Sequence, residues 1–281
     1  MTPSDLVLAG PEALAARIPD GASVALMKEP HVPMAVIRAL IARGAAGLHL
    51  VTVPTSSLAA DALIGAGCVA TVETSGVSLG EHGPAPFFVE AVKAGAIALK
   101  DATCPAVHSA LLAGMKGVPF MPMRGVIGSD LIEARPDWKV IDNPFAPEGE
   151  RDPILLLPAL TPDVALLHVP LADTEGNLWI GDRHETKIAA QAARRVLATA
   201  ERIVEGDLRH DPDKAPNLIR AIHVEAIAEA PGGAWPLAAP PDYGTDHDAL
   251  RAYAAAAREA ARGGASDWLE IITPRPAKAA E

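Results

Sequence analysis

Apolar residues in this chain occur in short runs that are bounded by proline, glycine or charged residues. The run at 164–169 lies between Pro162-Asp163 and Pro170. A run of this length with prolines on both sides is typical of a strand buried on both faces of a sheet. The polar, glycine-containing segment 172–177 follows it and predicts a loop at the carboxyl end of that strand. Ligands of open α/β sheets bind at this edge.

The rest of the chain alternates such runs with amphipathic segments. The apolar runs predict strands at 22–27, 47–53, 68–73, 96–100, 118–122, 154–159, 195–200 and 221–229. Helices are predicted from Ser4 as N-cap through Ala16, and at 32–43, 55–64, 87–95, 105–113, 184–194 and 246–261. Strands alternating with helices predict an α/β fold, with a largely parallel sheet that carries helices on both faces.

The segment 133–153 interrupts this alternation because it is rich in proline, aspartate and glutamate. It is either a linker between domains or a long surface excursion within one domain. We favour the excursion, since strand-like runs resume directly after it. Residues 1–281 are therefore predicted to form a single domain, with 274–281 as a flexible tail.

Composition excludes several classes of protein. The net charge of −11 argues against a nucleic-acid-binding surface, and 49% hydrophobic residues exclude global disorder. Two cysteines are too few for a disulfide framework, which indicates a reducing compartment. The first residues lack the pattern of a signal peptide, and no apolar run reaches membrane-spanning length, so a cytoplasmic protein is predicted.

Common catalytic and metal-binding motifs are missing from the sequence, which contains no GxGxxG, P-loop, CxxC, HExxH or GxSxG pattern. No metal site is therefore predicted. Cys68 and Cys104 are interpreted as buried apolar cysteines, although Cys104 precedes a proline at a helix start, where a thiolate is favoured. Structural roles are predicted for the four histidines beside apolar segments, His31, His108, His168 and His223.

Three polar loops follow predicted strands at what we expect to be one edge of the sheet. They are 27–31, 75–83 and 124–130. The glycines of the second and third loops allow backbone N–H groups to approach an anion or a thioester oxygen closely. Each of the three loops, taken alone, is explained by the ordinary residue preferences of turns. Three on one edge favour a binding site.

Short motifs distributed over most of the chain carry a family resemblance. They are Pro33-Met34-Ala35 with Arg38, Gly65-Ala66-Gly67, Val77-Ser78-Leu79-Gly80, Gly117-Val118-Pro119-Phe120-Met121-Pro122 with Arg124, Gly128-Ser129-Asp130-Leu131, Asp142-Asn143-Pro144-Phe145, Pro162-Asp163-Val164-Ala165, His168, Ala172-Asp173 with Gly176-Asn177, Glu229-Ala230-Pro231-Gly232-Gly233-Ala234, and Tyr243-Gly244 with Asp246. In this order they resemble the α (A) subunit of heteromeric family I CoA-transferases, nearest to the glutaconate CoA-transferase A type.

The resemblance implies a CoA-transferase (NagB/RpiA-like) fold and a B (β) subunit of the same fold as partner, in an αβ or α2β2 assembly. In such enzymes a glutamate attacks an acyl-CoA and forms a mixed anhydride, then a glutamyl-CoA thioester, from which the acceptor acid displaces CoA. That nucleophile belongs to the B subunit, so no catalytic residue is expected in this chain. Coenzyme A and acyl-CoA are implied as substrates, with no permanently bound cofactor.

Combining the loops with the resemblance gives a set of expected substrate- or CoA-binding residues: Lys28, Ser78, Gly80, Arg124, Gly128, Ser129 and Asp130. One loop departs from the family. Family A subunits carry glycines after the first strand, whereas this chain has Lys28-Glu29-Pro30, and Pro30 lacks an N–H donor. Lys28 is interpreted either as a substitute charge or as an ordinary solvated lysine, and a nucleophilic Glu29 is disfavoured.

Two alternatives remain open at the level of the sequence. The same scaffold serves as a CoA-ester (ring-opening) hydrolase when water replaces the acceptor acid. The second alternative is a non-catalytic structural subunit, which the missing glycines favour and the retained loops around Ser78 and 128–130 oppose.

Overall fold

The computed structural model describes residues 6–273 and contains two sheets. Their strands are β1 (Val7–Leu8), β2 (Ser23–Met27), β3 (Leu48–Val53), β4 (Val69–Thr74), β5 (Ala98–Asp101), β6 (Phe120–Met123), β7 (Lys139–Asp142), β8 (Pro153–Pro158), β9 (Val164–Asp173), β10 (Leu178–Trp179), β11 (Val196–Val204), β12 (Leu218–Ile219) and β13 (Val224–Glu229). Ten strands form the large sheet, whose order is β1-β13-β11-β9-β2-β3-β4-β5, with every neighbouring pair parallel. Strand β10 runs antiparallel to β9, and β12 antiparallel to β10.

Strand β9 lies in the middle of the large sheet, between β11 and β2, and nearly all its side chains are buried. The buried strand predicted at 164–169 is confirmed, but its predicted end is wrong. The strand continues through Pro170 to Asp173, because the pairing with β11 resumes at Leu171. The segment 172–177 is consequently a tight turn. The buried Asp173 carboxylate accepts hydrogen bonds from the backbone N–H groups of Asn177 (2.7 Å) and Leu208 (2.8 Å), so this aspartate holds the turn.

Helices cover both faces of the large sheet. They are α1 (Pro11–Ala15), α2 (Met34–Ala42), α3 (Leu58–Gly65), α4 (Pro86–Lys93), α5 (Cys104–Lys116), α6 (Leu131–Ala134), α7 (His184–Ala192), α8 (His247–Ala261) and α9 (Trp268–Ile271). Helices α1, α2, α3, α4 and α8 pack on one face of the sheet in one apolar cluster. Helices α5 and α7 pack on the other face in a second cluster. The predicted fold class is therefore confirmed. Within residues 6–273 no helix is both long and apolar enough to cross a membrane.

The small sheet adds antiparallel strands to the largely parallel sheet that the sequence predicts. Strands β6, β8 and β7 pair antiparallel to one another and form a sheet of their own. The predicted excursion 133–153 contains β7, whose side chains are exposed. Leu155 and Leu157 of β8 are buried in the same cluster as Val107 of α5. The single domain stays a prediction, and this shared cluster supports it.

The N-terminal prediction is wrong in its boundaries. Residues 7–8 form a strand beside β13, and α1 begins at Pro11, where the missing N–H of proline is tolerated at a helix start. The predicted cap, Ser4, lies outside the described residues, as do 274–281 of the predicted tail.

Candidate functional site

A cavity of about 460 Å³ opens at the carboxyl ends of β2, β3 and β4. Its walls come from the loops that follow these strands and from the segment that leads into α8. Parallel strands end at a common edge, and this edge is where open α/β sheets bind ligands. The lining residues are Lys28, Glu29, Thr55, Ser56, Gly76, Ser78, Leu79, Gly80, Glu81, His82, Leu237, Thr245, His247 and Leu250.

The glycine-free loop after β2 is held in place by distant parts of the chain. The backbone N–H of His31 donates to the Ala238 carbonyl (2.8 Å), and its ring Nε2 donates to the Pro240 carbonyl (2.9 Å). Arg183 donates to the carbonyl of Pro30. Glu29 lines the cavity and accepts a hydrogen bond from the Ser57 hydroxyl. The loop is therefore a fixed wall of the cavity, and the exposed Lys28 side chain contributes a positive charge to it.

The loop after β4 supplies hydroxyl and backbone groups. Gly80 has a φ of 61°, a left-handed conformation that glycine adopts without steric cost. Its N–H donates to the Ser78 hydroxyl (3.1 Å), and that hydroxyl donates to the Gly83 carbonyl (3.4 Å). The exposed Ser78 therefore both orders the loop and faces the cavity.

The structure brings together only part of the predicted site. Lys28, Ser78 and Gly80 line the cavity, whereas the other predicted residues, Arg124, Gly128, Ser129 and Asp130, do not. The third loop follows β6, so the prediction that it follows a strand of the large sheet is wrong.

The groups of the third loop have partners of their own. The Arg124 guanidinium donates to the Asp152 carboxylate, with 3.1 Å between Nε and Oδ1. The Ser129 hydroxyl donates to the Val126 carbonyl at 2.7 Å. The loop is nevertheless tied to the edge of the large sheet, because Arg135, just beyond α6, donates to the carbonyl of Asp101 at the end of β5 (3.1 Å).

The two cysteines differ. Cys68 is buried, as predicted. Cys104 is exposed, so its predicted burial is wrong. It occupies the first turn of α5, which Thr103 caps, and its Sγ lies 3.0 Å from the Ser75 hydroxyl. The amphipathic start of a helix at the sheet edge accounts for the exposure.

A buried polar network lies beside the cavity loops and was missed at the level of the sequence, apart from the structural role predicted for His168. The His168 ring contacts the Thr199 hydroxyl (2.8 Å) and the Glu201 carboxylate (2.7 Å). Glu201 also accepts hydrogen bonds from Tyr243 (2.6 Å) and from the backbone of Gly232 (2.8 Å). Burial alone raises the pKa of Glu201, but the hydrogen bonds from His168, Tyr243 and Gly232 lower it below its ordinary value. The network fastens Gly232 and Tyr243 to the middle of strands β9 and β11.

A second cavity of about 930 Å³ lies next to this network, and several motifs of the family resemblance converge on it. Its lining includes Arg38, the segment 230–233, Trp235 and Tyr243. The Arg38 guanidinium donates to the carbonyl of Trp235 (2.9 Å), and burial lowers the pKa of Arg38 to about 10. The Gly233 position has no room for a side chain, since an added Cβ would lie 2.6 Å from the Ala230 carbonyl oxygen. These residues are explained by packing and backbone geometry.

Comparisons with known proteins agree with this fold. The family model of the coenzyme A transferases matches residues 10–229. The chain is 33% identical to the A subunit of 3-oxoadipate CoA-transferase of Pseudomonas knackmussii, over 88% of this chain and 87% of that protein. It is 34% identical to the cholesterol ring-cleaving hydrolase IpdA subunit of Mycobacterium tuberculosis, over 80% of this chain and 78% of that protein.

Two solved structures show the same architecture. The decarboxylase AibA/AibB matches with a TM-score of 0.80 and 31% identity, over 95% of this chain and 98% of that chain. Glutaconate CoA-transferase from Acidaminococcus fermentans matches with a TM-score of 0.81 and 26% identity, over 90% and 84%. This protein therefore belongs to the coenzyme A transferase family, and its resemblance to the glutaconate CoA-transferase A type is confirmed.

Proposed function

We propose that this chain is the A subunit of a heteromeric enzyme that moves CoA between an acyl-CoA and a carboxylic acid, with the nucleophilic glutamate on a partner B subunit. The observation that carries the proposal is the cavity at the ends of β2 to β4. There the Lys28 ammonium, the Ser78 hydroxyl and the backbone of Gly80 face one space, in a chain of the CoA-transferase family. The Lys28 ammonium and the Ser78 hydroxyl, whose bond to the Gly83 carbonyl is long (3.4 Å), are donors of the kind that stabilise the oxyanion formed when a thioester carbonyl is attacked. The Gly80 N–H already donates to Ser78 and so shapes the wall beside them.

The carboxylates of the cavity bear on the division of labour between two subunits. Glu29 accepts a hydrogen bond from Ser57, and Glu81 lies 2.9 Å from the His247 ring. These contacts give each carboxylate a structural role within the chain, and since a hydrogen-bonded carboxylate can still attack an acyl carbon, the trapping experiment below decides which subunit carries the nucleophile. Measuring the mass of the co-purified complex would distinguish an αβ from an α2β2 assembly.

The proposed binding role is narrower than the set expected from the sequence. We assign Lys28, Ser78 and Gly80 to contact with the acyl group or CoA. The role of Arg124, Gly128, Ser129 and Asp130 stays a prediction, because these residues do not line the cavity.

Trapping the covalent intermediate tests the proposed function. The chain, co-purified with its B partner, is incubated with acyl-CoA, treated with hydroxylamine or borohydride, and mapped by mass spectrometry. We expect a modified glutamate on the partner and CoA transfer that requires an added carboxylic acid. Modification at Glu29 or Glu81 would show that this chain carries the nucleophile, and the proposed division of labour would be wrong.

A ring-opening or CoA-ester hydrolase is the second candidate, since the chain is 34% identical to a relative of that kind. The glycine-free loop that contains Pro30 is the sequence feature that would accompany a change from CoA transfer to hydrolysis. Release of CoA without a trapped glutamate and without a carboxylic acid acceptor would favour it. A complex that binds no CoA ester would instead indicate a structural subunit.

The Ser78→Ala variant of the complex is expected to raise KM or lower kcat by roughly five- to tenfold, the effect of losing one hydrogen bond of about 1 kcal/mol. The reason is that the hydroxyl both faces the cavity and holds the Gly80 N–H. Steady-state kinetics measure the effect, and thermal unfolding checks that the fold is intact. Ser266→Ala is the control, because that hydroxyl also donates to a backbone carbonyl, of Ala256 (2.8 Å), and does not line the cavity. Equal kinetics for both variants would exclude the role.

A further inference from the structure

Three potential metal ligands meet at one side of the cavity. The His247 Nδ1 lies 2.9 Å from the Glu81 Oε1 and 3.1 Å from the His82 Nε2. The third side of the triangle, from His82 Nε2 to Glu81 Oε1, measures 3.7 Å. Two imidazole nitrogens and one carboxylate oxygen are a donor set that Zn²⁺ commonly uses in proteins.

The size of this triangle fits a metal ion. Ligand bonds of about 2.0–2.1 Å in a tetrahedral zinc site place neighbouring donor atoms roughly 3.3 Å apart. The three observed distances, 2.9, 3.1 and 3.7 Å, lie on both sides of this value. Small movements of the side chains would therefore bring all three atoms to bonding distance of one ion.

The ligands are held by two elements that are fixed to each other. Glu81 and His82 belong to a single 3-10 turn, Gly80–His82, while His247 is the first residue of the 15-residue helix α8. Arg258 of the same helix donates to the carbonyl of His82 (3.0 Å), which joins the turn to the helix. The arrangement is thus organised before any ion binds, which reduces the cost of binding.

The surroundings leave one side of the triangle open. The His82 side chain is only 8% exposed, whereas those of Glu81 and His247 are 71% and 54% exposed. All three residues line the cavity that also contains Lys28 and Ser78. A metal held by three protein ligands keeps a further position for water or a ligand atom, as in sites that act on substrates.

We propose that Glu81, His82 and His247 form a Zn²⁺-binding site at the mouth of this cavity. The ion would bind through Glu81 Oε1, His82 Nε2 and His247 Nδ1, and its open position would face the space shared with Lys28 and Ser78. The proposal does not depend on which reaction the complex performs.

The test uses the untagged chain, stripped of metal by a chelator. Zinc binding is measured by isothermal titration and by metal analysis after dialysis, and Co²⁺ is used as a spectroscopic probe. We expect one Zn²⁺ per chain, visible absorption bands typical of four-coordinate Co²⁺, and a rise in Tm with added Zn²⁺. The variants His82→Ala, His247→Ala and Glu81→Gln are each expected to weaken Zn²⁺ binding, the histidine variants by on the order of 100-fold.

The matched control is His210→Ala. His210 is likewise near a carboxylate, with 3.6 Å between its Nε2 and Asp207, but it is 86% exposed and belongs to no three-ligand group within residues 6–273. This variant is expected to bind Zn²⁺ as the unsubstituted chain does. Absence of zinc binding in the unsubstituted chain, or binding that survives in the His82→Ala/His247→Ala double variant, would overturn the proposal. The three residues would then be a hydrogen-bonded triad only.

Discussion

Acidification from about pH 7 to about pH 4 is expected to cost the folded chain roughly 3 kcal/mol through the single side chain of His31. Burial lowers the pKa of His31 from 6.5 to about 4. Each unit of difference between the folded and unfolded pKa corresponds to about 1.4 kcal/mol. The contribution of His31 to the free energy of unfolding should therefore decrease as the pH falls below 6.5 and stop changing below about 4.

The direction of the effect follows from the contacts of the ring. His31 is 8% exposed, and its Nε2 donates to the Pro240 carbonyl. The other nitrogen, Nδ1, is buried without a hydrogen-bond partner among the described residues. Protonation would place a charge on that atom, with His168 and Arg183 adding unfavourable charge and Glu201 only a smaller favourable one. The unfolded chain binds this proton readily, so acid favours unfolding.

His31→Asn isolates the contribution of the histidine. Asparagine tolerates the left-handed conformation of this position, where φ is 64°, so the backbone is not strained by the change. Denaturant titrations of both proteins across the pH range measure the free energies of unfolding. The variant should lose about 1 kcal/mol at neutral pH with the Pro240 hydrogen bond, but lack the additional acid loss. Parallel pH curves for the two proteins would contradict this account.

Comparing the two proteins at each pH is necessary because Asp61 acts in the opposite direction. Burial raises the pKa of Asp61 to about 6, although hydrogen bonds from Phe88 and Tyr253 oppose the shift. The folded state therefore holds this proton more tightly than the unfolded state, and stability rises as the pH falls through 6. The contribution of His31 is therefore read from the difference between the two proteins at each pH, in which the other titrating groups cancel.

The alternation of apolar runs and amphipathic segments was sufficient to predict the layered fold. Strands β2, β3 and β9 are buried on both faces, and the apolar runs predict them directly. The small sheet was not predictable in this way. Its strands β6 and β8 have the same short apolar pattern as the parallel strands, and which sheet a strand joins depends on long-range pairing.

The candidate site was predictable where it depends on loops that follow strands of the large sheet. Ser78 and Gly80 follow β4, and Lys28 follows β2, so the topology alone places them at one edge. The triad of Glu81, His82 and His247 was not predictable, because His247 lies 165 residues from His82 and matches no spacing motif. The Glu201 network was also not predictable from the sequence, since it joins groups from three separate segments.

A second large effect is expected at the ion pair that fixes the third loop to the sheet edge. Arg135 and Glu73 have side chains only 3% exposed, and their Nη2 and Oε1 atoms are 2.6 Å apart. Burial alone raises the pKa of Glu73, but the His49 ring, 3.5 Å from the Glu73 Oε2, and the charges of Arg135 and Lys100 lower it below its ordinary value. Arg135→Met would leave the Glu73 carboxylate buried with weaker partners. We expect a loss of about 3–5 kcal/mol in the free energy of unfolding.

The expected loss comes from the Glu73 carboxylate, which would remain buried and charged without its Arg135 partner. Removing that charge should therefore restore stability. Glu73→Gln added to Arg135→Met is expected to recover part of the loss, measured by denaturant titration of the single and double variants. Arg251→Met is the control: it breaks an ion pair with Asp248 whose side chains are 62% and 86% exposed, and should cost less than about 1 kcal/mol. A loss at Arg135 as small as that at Arg251 would mean that water or the neighbouring Lys100 compensates Glu73. In that case the segment 124–135 would be held at the sheet edge by apolar packing rather than by charge.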